Sequence, residues 1–193
     1  MVKLIYGIGI NDKMYPTKAN GKDTKEYSLW HRLLERCYDP KFQAKNPTYL
    51  GCQAGQNFKN YSYFYRWCQS QIGFGQRAFH LDKDLLLKGN KIYSEDTCLF
   101  VPKELNSLLT STRAIRGSLP VGVCAHQGKF QAQCNTNNTS SRHIGIFKTP
   151  EEAFNAYKEA KEAFIKLQAE KWKPYIDPRA YATLMAYTVL ITD

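Results

Sequence analysis

The chain has 193 residues, 43% of them hydrophobic, and a formal net charge of +10, so it can bury a core as one large domain or two small ones. A surplus of Lys and Arg favours a polyanionic partner, because each phosphate contact releases a counterion; charge alone does not separate DNA from RNA or an anionic membrane. No run of about 18 apolar residues exists, so no spanning helix is expected, and the six cysteines, Cys37, Cys52, Cys68, Cys98, Cys124 and Cys134, are spread through a chain too large to need disulfide staples, so a reduced cytoplasm is the expected compartment.

Residues 1–25 read as an irregular arm, broken by Gly7, Gly9, Pro16 and Gly21. Met1–Ile10 lacks a small-residue cleavage site and reads as no signal peptide. A first helix follows, with Tyr27, Trp30, Leu33, Leu34 and Cys37 at helical spacing and Asp39-Pro40 ending it. Residues 46–60 read as a loop with a short extended piece around Tyr49 and Cys52. A second helix is predicted over Tyr61–Ser70. Its cluster Tyr61, Tyr63, Phe64, Tyr65 and Trp67 could stack bases, but core packing is the expected reading.

Phe79 to Leu87 alternates as a strand does, Lys88-Gly89-Asn90-Lys91 signals a turn, and Ile92 to Val101 returns as a second strand. Pro102 suits the first turn of a helix that Glu104 to Leu109 continue. Residues 111–120 form a basic linker with Arg113 and Arg116, candidate phosphate contacts. The domains predicted are therefore 26–110 and 121–173, with a tail over 174–193. In the second domain, Pro120–His126, Lys129–Asn135 and Arg142–Phe147 read as three strands, with a tight turn at Gln127-Gly128. Thr149-Pro150-Glu151-Glu152 starts a helix with a capping box. Ala153, Tyr157, Ala160, Phe164 and Leu167 mark the stripe that would cover the sheet. Asp177 and Pro178 predict a short last helix, before an apolar end at Val189 to Ile191. The fold class expected is α+β.

Several runs within 27–109 resemble phage and prophage HNH-type endonucleases: Arg36-Cys37-Tyr38, Pro47-Thr48-Tyr49, Leu81-Asp82-Lys83-Asp84-Leu85, Gly89-Asn90-Lys91-Ile92-Tyr93-Ser94, and Thr97 through Pro102 with Asn106. Residues 120–172 are similar to an AP2 DNA-binding domain, through Gly122-Val123, Gly128-Lys129-Phe130, Ile144-Gly145-Ile146-Phe147, Thr149 to Ala153 and Ala156-Tyr157. The architecture implied is an HNH-like ββα-metal module with preceding helices, joined to an AP2-like three-stranded antiparallel sheet packed on one helix. The activity implied is metal-dependent cleavage of double-stranded DNA, of homing type. One Mg²⁺ or Mn²⁺ would polarise the scissile phosphate while a histidine activates water.

On that resemblance Asp82 matches the acidic metal ligand, Asn90 the hairpin asparagine and Asn106 the metal ligand on the helix. Lys83 stands where the family has its histidine, and a lysine accepts a proton at neutral pH only if burial lowers its pKa strongly. On a strand His80, Asp82 and Asp84 would share a face, so His80 is the candidate base and Asp84 a further metal oxygen. His31 is another candidate with no place assigned. Cys37, Cys52, Cys68 and Cys98 could hold a structural zinc, yet no CxxC pair exists, and buried free thiols are the expected reading. In the AP2-like part, His126, Lys129, Gln131, Gln133, Arg142 and His143 are the candidate DNA contacts. Cys124, Phe130 and His143 stand where family members often carry Arg and Trp. The alternative to a nuclease is a non-catalytic DNA-binding or regulatory protein derived from one. A third reading is an interaction protein that turns its basic surface to a host factor.

Overall fold

Local capping sets the helices of the first half. After a two-residue hairpin of β1 (Lys18–Ala19) and β2 (Lys22–Asp23), Thr24 caps α1 (Lys25–Tyr38), its Oγ1 accepting from Tyr27 N at 3.3 Å. That bond satisfies a first-turn amide with no intrahelical partner. Asp39 ends α1 and also caps α2 (Pro40–Lys45), taking Lys41 N at 2.8 Å. After the short β3 (Gln53–Ala54), Asn60 caps α3 (Tyr61–Ser70) through Tyr63 N at 3.0 Å.

The structure, a computed structural model, describes residues 4–109, 118–137 and 140–191, with backbone alone at 136–137 and 140–142. The chain divides into two units, Met1–Asn106 with Tyr175–Ala180, and Ser107–Pro174 with Tyr181–Asp193. Its class is α+β, with small sheets. Among the described residues no helix is long and apolar enough to cross a membrane.

In the first unit α1 and α3 bury an aromatic core. Trp30, Phe58, Tyr61 and Phe64 have no exposed surface. Trp30 Nε1 donates to Phe58 O at 2.8 Å, and the Phe58 ring lies 4.7 Å from Trp67 and 5.1 Å from Phe64. Burial of each such side chain contributes about 1.5–3 kcal/mol. Most of the aromatic run is thus core. Tyr65 differs and stacks flat on Tyr15 at 4.1 Å.

The strands that follow depart from the expected hairpin. β4 (Phe79–Asp82) ends five residues before Leu87, the predicted end, and the chain bends through 83–87. β5 (Ile92–Tyr93) does not pair with it. It runs parallel to β3, with Gln53 opposite Ile92. The antiparallel partner of β4 is β6 (Leu99–Pro102), with Phe79 opposite Pro102 and Asp82 opposite Leu99. α4 (Lys103–Leu108) follows directly. The order β4, β6, α4 is strand, strand, helix, with the 83–98 segment looped out of the pair.

The second unit has β7 (Val123–His126), β8 (Lys129–Asn137) and β9 (Ser140–Phe147) in that order, all antiparallel. α5 (Pro150–Trp172) packs on this sheet. Thr149 and Glu152 form the capping box: Glu152 N donates to Thr149 Oγ1 at 3.2 Å, and Glu152 Oε2 takes Thr149 N at 3.3 Å. Val123, Ala132, Cys134, Ala153, Phe154 and Tyr157 make the core, and Val189 joins them. Val189 is held at both backbone groups, its N–H by Glu162 Oε1 at 2.8 Å and its carbonyl by Lys158 Nζ at 3.0 Å. α6 (Pro178–Met185) precedes it.

Candidate functional site

The Asp82–Tyr93 segment is built around Lys83. Its side chain is buried, and its Nζ donates to Asp84 Oδ1 and to Asn90 O, both at 2.6 Å. Asn90 returns the contact: its Nδ2 donates to Lys83 O at 2.8 Å and to Ile92 O at 2.6 Å, and its Oδ1 takes Ile92 N at 3.0 Å. Each of these residues therefore holds the other's main chain, and together they close the loop. A buried ammonium is tolerated because an anion and a carbonyl face it. The Tyr93 ring lies 5.6 Å from the same nitrogen.

Asp82 turns the chain out of β4. Its Oδ1 accepts from Asp84 N at 2.9 Å and Leu85 N at 2.6 Å, a side-chain bond that competes with strand pairing. Burial raises the Asp82 pKa above the ordinary carboxylate value, and the Asp84 charge adds to the rise; the two amides and Lys83 oppose it. Asp82 keeps Oδ2 outside this pair of bonds.

The candidate residues of the first unit are brought together only in part. His80 and Asp82 alternate onto one face of β4, and His80 is exposed. Asp84 lies beyond the strand, so the i, i+2, i+4 spacing that would have put it on that face stops at Asp82; its carboxylate faces Lys83 instead. Asn90 contacts main chain around the loop and no histidine. Asn106 is half-buried on α4. His31 packs edge-on to Tyr6, ring centres 5.0 Å apart.

Among the described residues no three His, Cys, Asp or Glu side chains converge as a metal group. Cys37, Cys52, Cys68 and Cys98 are all described, and all are buried free thiols. These four cysteines are buried in the first unit, and among the described residues they form no metal group. Burial pushes the thiols of Cys37 and Cys98 up to about 12, and that of Cys68 up as well. Thiols so protonated are poor nucleophiles. The oxygens that the resemblance would assign to Mg²⁺ or Mn²⁺ are those of Asp82, Asp84 and Asn106, and one Asp84 oxygen is already given to Lys83. These are hard oxygens of the right kind but few in number, so phosphate and water would have to complete the shell.

The second candidate surface is the face of β7–β9 turned away from α5. Ala132 and Cys134 are buried towards the helix, so the pleat turns Gln131 and Gln133 outward. The register sets Cys124 and Ile146 on either side of Gln131, His143 beside Gln133, and His126 beside Lys129. Lys129 and His143 are exposed, and His126, Gln131 and Gln133 half-buried. Gln133 Nε2 reaches Cys124 Sγ at 3.6 Å. Arg113 and Arg116, and the side chain of Arg142, lie outside the described residues. Ile146, 47% exposed beside Gln131, escapes sequence reasoning. Ile144 and Phe147 pack on the core while Ile146 does not, and only the cross-strand register reveals its side.

Compared with known proteins, the chain matches no family model, no curated protein and no solved structure.

Proposed function

We propose that this chain is an HNH-like, metal-dependent DNA endonuclease of homing type, nicking or cutting both strands, that reaches its target through the AP2-like sheet. The observation that carries the reading is the outer face of β7–β9, where Lys129, His126, Gln131, Gln133 and His143 are gathered on a three-stranded sheet of a chain carrying +10. Gln can pair with adenine in the major groove and Lys with guanine or phosphate; Ile146 gives an apolar contact of the kind a thymine methyl makes. Cleavage is supported by the order β4, β6, α4, with Asp82 at the end of the first strand and His80 on its face. A divalent cation on Asp82 and Asn106, with Asp84 adding an oxygen, would supply charge neutralisation at the phosphate and a more acidic bound water. His80 is the residue of this chain that would accept a proton.

One observation favours the second reading, a DNA-binding or regulatory protein that does not cut. Lys83 and Asn90, at the positions of the family's base and the residue that orients it, are spent on closing a loop. The two readings separate in one experiment, incubation of plasmid DNA with Mg²⁺ or Mn²⁺. Wild type, Asp82→Ala, Asn106→Ala and His80→Ala are compared, with DNA binding measured for each. Cleavage by wild type that disappears in Asp82→Ala with binding intact is the expected result. Full activity in Asp82→Ala overturns the metal assignment, and binding without cleavage in every preparation establishes the second reading.

A further inference from the structure

Asp23, Tyr27, Ser28, His31 and Arg32 line a cavity of about 370 Å³ over the first turns of α1, the small end of the roughly 300–1,000 Å³ range of ligand sites. Helical spacing builds it: Tyr27 and His31, and Ser28 and Arg32, are four residues apart and lie one above the other. Asp23 joins them from the end of β2, just ahead of the cap. The two rings are pre-placed. Tyr27 meets Tyr61 edge-on at 5.4 Å, and His31 meets Tyr6 edge-on at 5.0 Å. Among the described residues the side chains of Asp23, Ser28, His31 and Arg32 have no hydrogen-bond or ion-pair partner. Four unpaired polar side chains of complementary kinds thus meet in one cavity, beside a ring.

We propose that this cavity binds a guanine nucleotide. The Arg32 guanidinium offers a fork of donors that matches a phosphate, with the Ser28 hydroxyl and the His31 imidazole adding donors. Tyr27 provides an aromatic surface for the base. The Asp23 carboxylate only accepts, so it selects a base edge with adjacent donors, which guanine has at N1–H and its amino group and adenine lacks. The nucleotide is either free or an unpaired guanosine within a strand; the chemistry is the same. This site does not depend on the duplex-binding reading, and a duplex titration that fails leaves it standing.

The test is titration of the full chain at physiological salt with 5′-GMP, 5′-AMP, guanosine and inorganic phosphate, followed by a short single strand with one unpaired guanosine. Calorimetry gives affinity, and the His31 ring signals in NMR report the place. Arg32→Gln and Asp23→Asn alter exposed side chains, so the fold is retained. Binding of 5′-GMP ahead of 5′-AMP, weakened roughly tenfold by Arg32→Gln, with the preference erased by Asp23→Asn, is expected. The same pattern with the strand alone also supports the site and assigns it to nucleotides within a strand. No binding of either probe, or binding that neither substitution alters, overturns it.

Discussion

Lys83 would be taken for a defect in a catalytic motif if only its position were considered; its contacts make it a structural clamp. Removing it should therefore affect stability first. Lys83→Met loses two charge-assisted bonds and leaves Asn90 O without its donor, which should cost about 2–3 kcal/mol in urea unfolding. Asn90→Ala leaves the Lys83 carbonyl without its donor and the Ile92 amide without its acceptor, while Ile92 O keeps the Thr97 hydroxyl, and should cost about 2 kcal/mol. Because the two residues close one loop, the double variant should lose less than the sum; strict additivity, or a Lys83→Met protein as stable as wild type, would contradict the clamp. Asp82 makes the opposite expectation. Burial lifts its folded pKa above that of the unfolded chain, so the folded state holds this proton more tightly. The group therefore costs stability above its folded pKa, and the cost fades as pH falls towards the unfolded value of about 4. Asp82→Asn keeps an Oδ1 acceptor for the two amides, and should be the more stable protein at pH 7 with the gap closing near pH 4. A carboxylate whose removal stabilises the fold but abolishes cleavage would be one retained for chemistry.

At the scale of elements, the signals that were legible are those a few residues carry by themselves. Thr149 to Glu152 contains both halves of a capping box, and the box is present in the structure. Thr149→Ala should lower stability by about 1 kcal/mol, read from the thermal midpoint, and Thr149→Ser should restore most of it. Gly122 is legible only in part. Its φ of +75° favours glycine, but an added Cβ would also collide with the Tyr157 ring of α5. Gly122→Ala should therefore cost about 2–4 kcal/mol, strain and overpacking together. An alanine variant within 0.5 kcal/mol of wild type, on the scale of ordinary surface changes, would mean that this turn relaxes. The β4 strand shows the converse. Alternation from Phe79 to Leu87 predicts nine residues of strand, and Asp82 stops it at four, because a carboxylate two residues before a free amide offers the backbone another bond.

For the whole molecule the +10 charge makes a prediction about salt. Log affinity for duplex DNA should fall linearly with log salt, and Lys129→Ala should reduce the slope by about 1 while weakening all sequences alike. Gln131→Ala should instead leave the slope and flatten the preference among sequences by roughly 1–3 kcal/mol at one base pair; a gel-shift titration without binding at low salt removes the duplex reading altogether. The stripe expected to run down α5 to Leu167 does not hold at its end, because Leu167 is 64% exposed while Ile165 and Ala169 are buried. The sequence by itself determined the C-terminal end of α1, both ends of α3, the capped start of α5, the three strands of the second unit and the side of β8 on which Gln131 and Gln133 lie. All of these follow from neighbours within about four residues, through caps, helical stripes and strand alternation. Tertiary structure alone decided that β4 pairs with β6 and leaves β5 to lie parallel to β3, that Asp84 leaves the strand face, that Ile146 stands beside Gln131, and that Lys83 is buried. Each of these joins residues whose partners are set by chain closure and competing hydrogen bonds, and a local pattern carries no record of which distant carbonyl an ammonium will find.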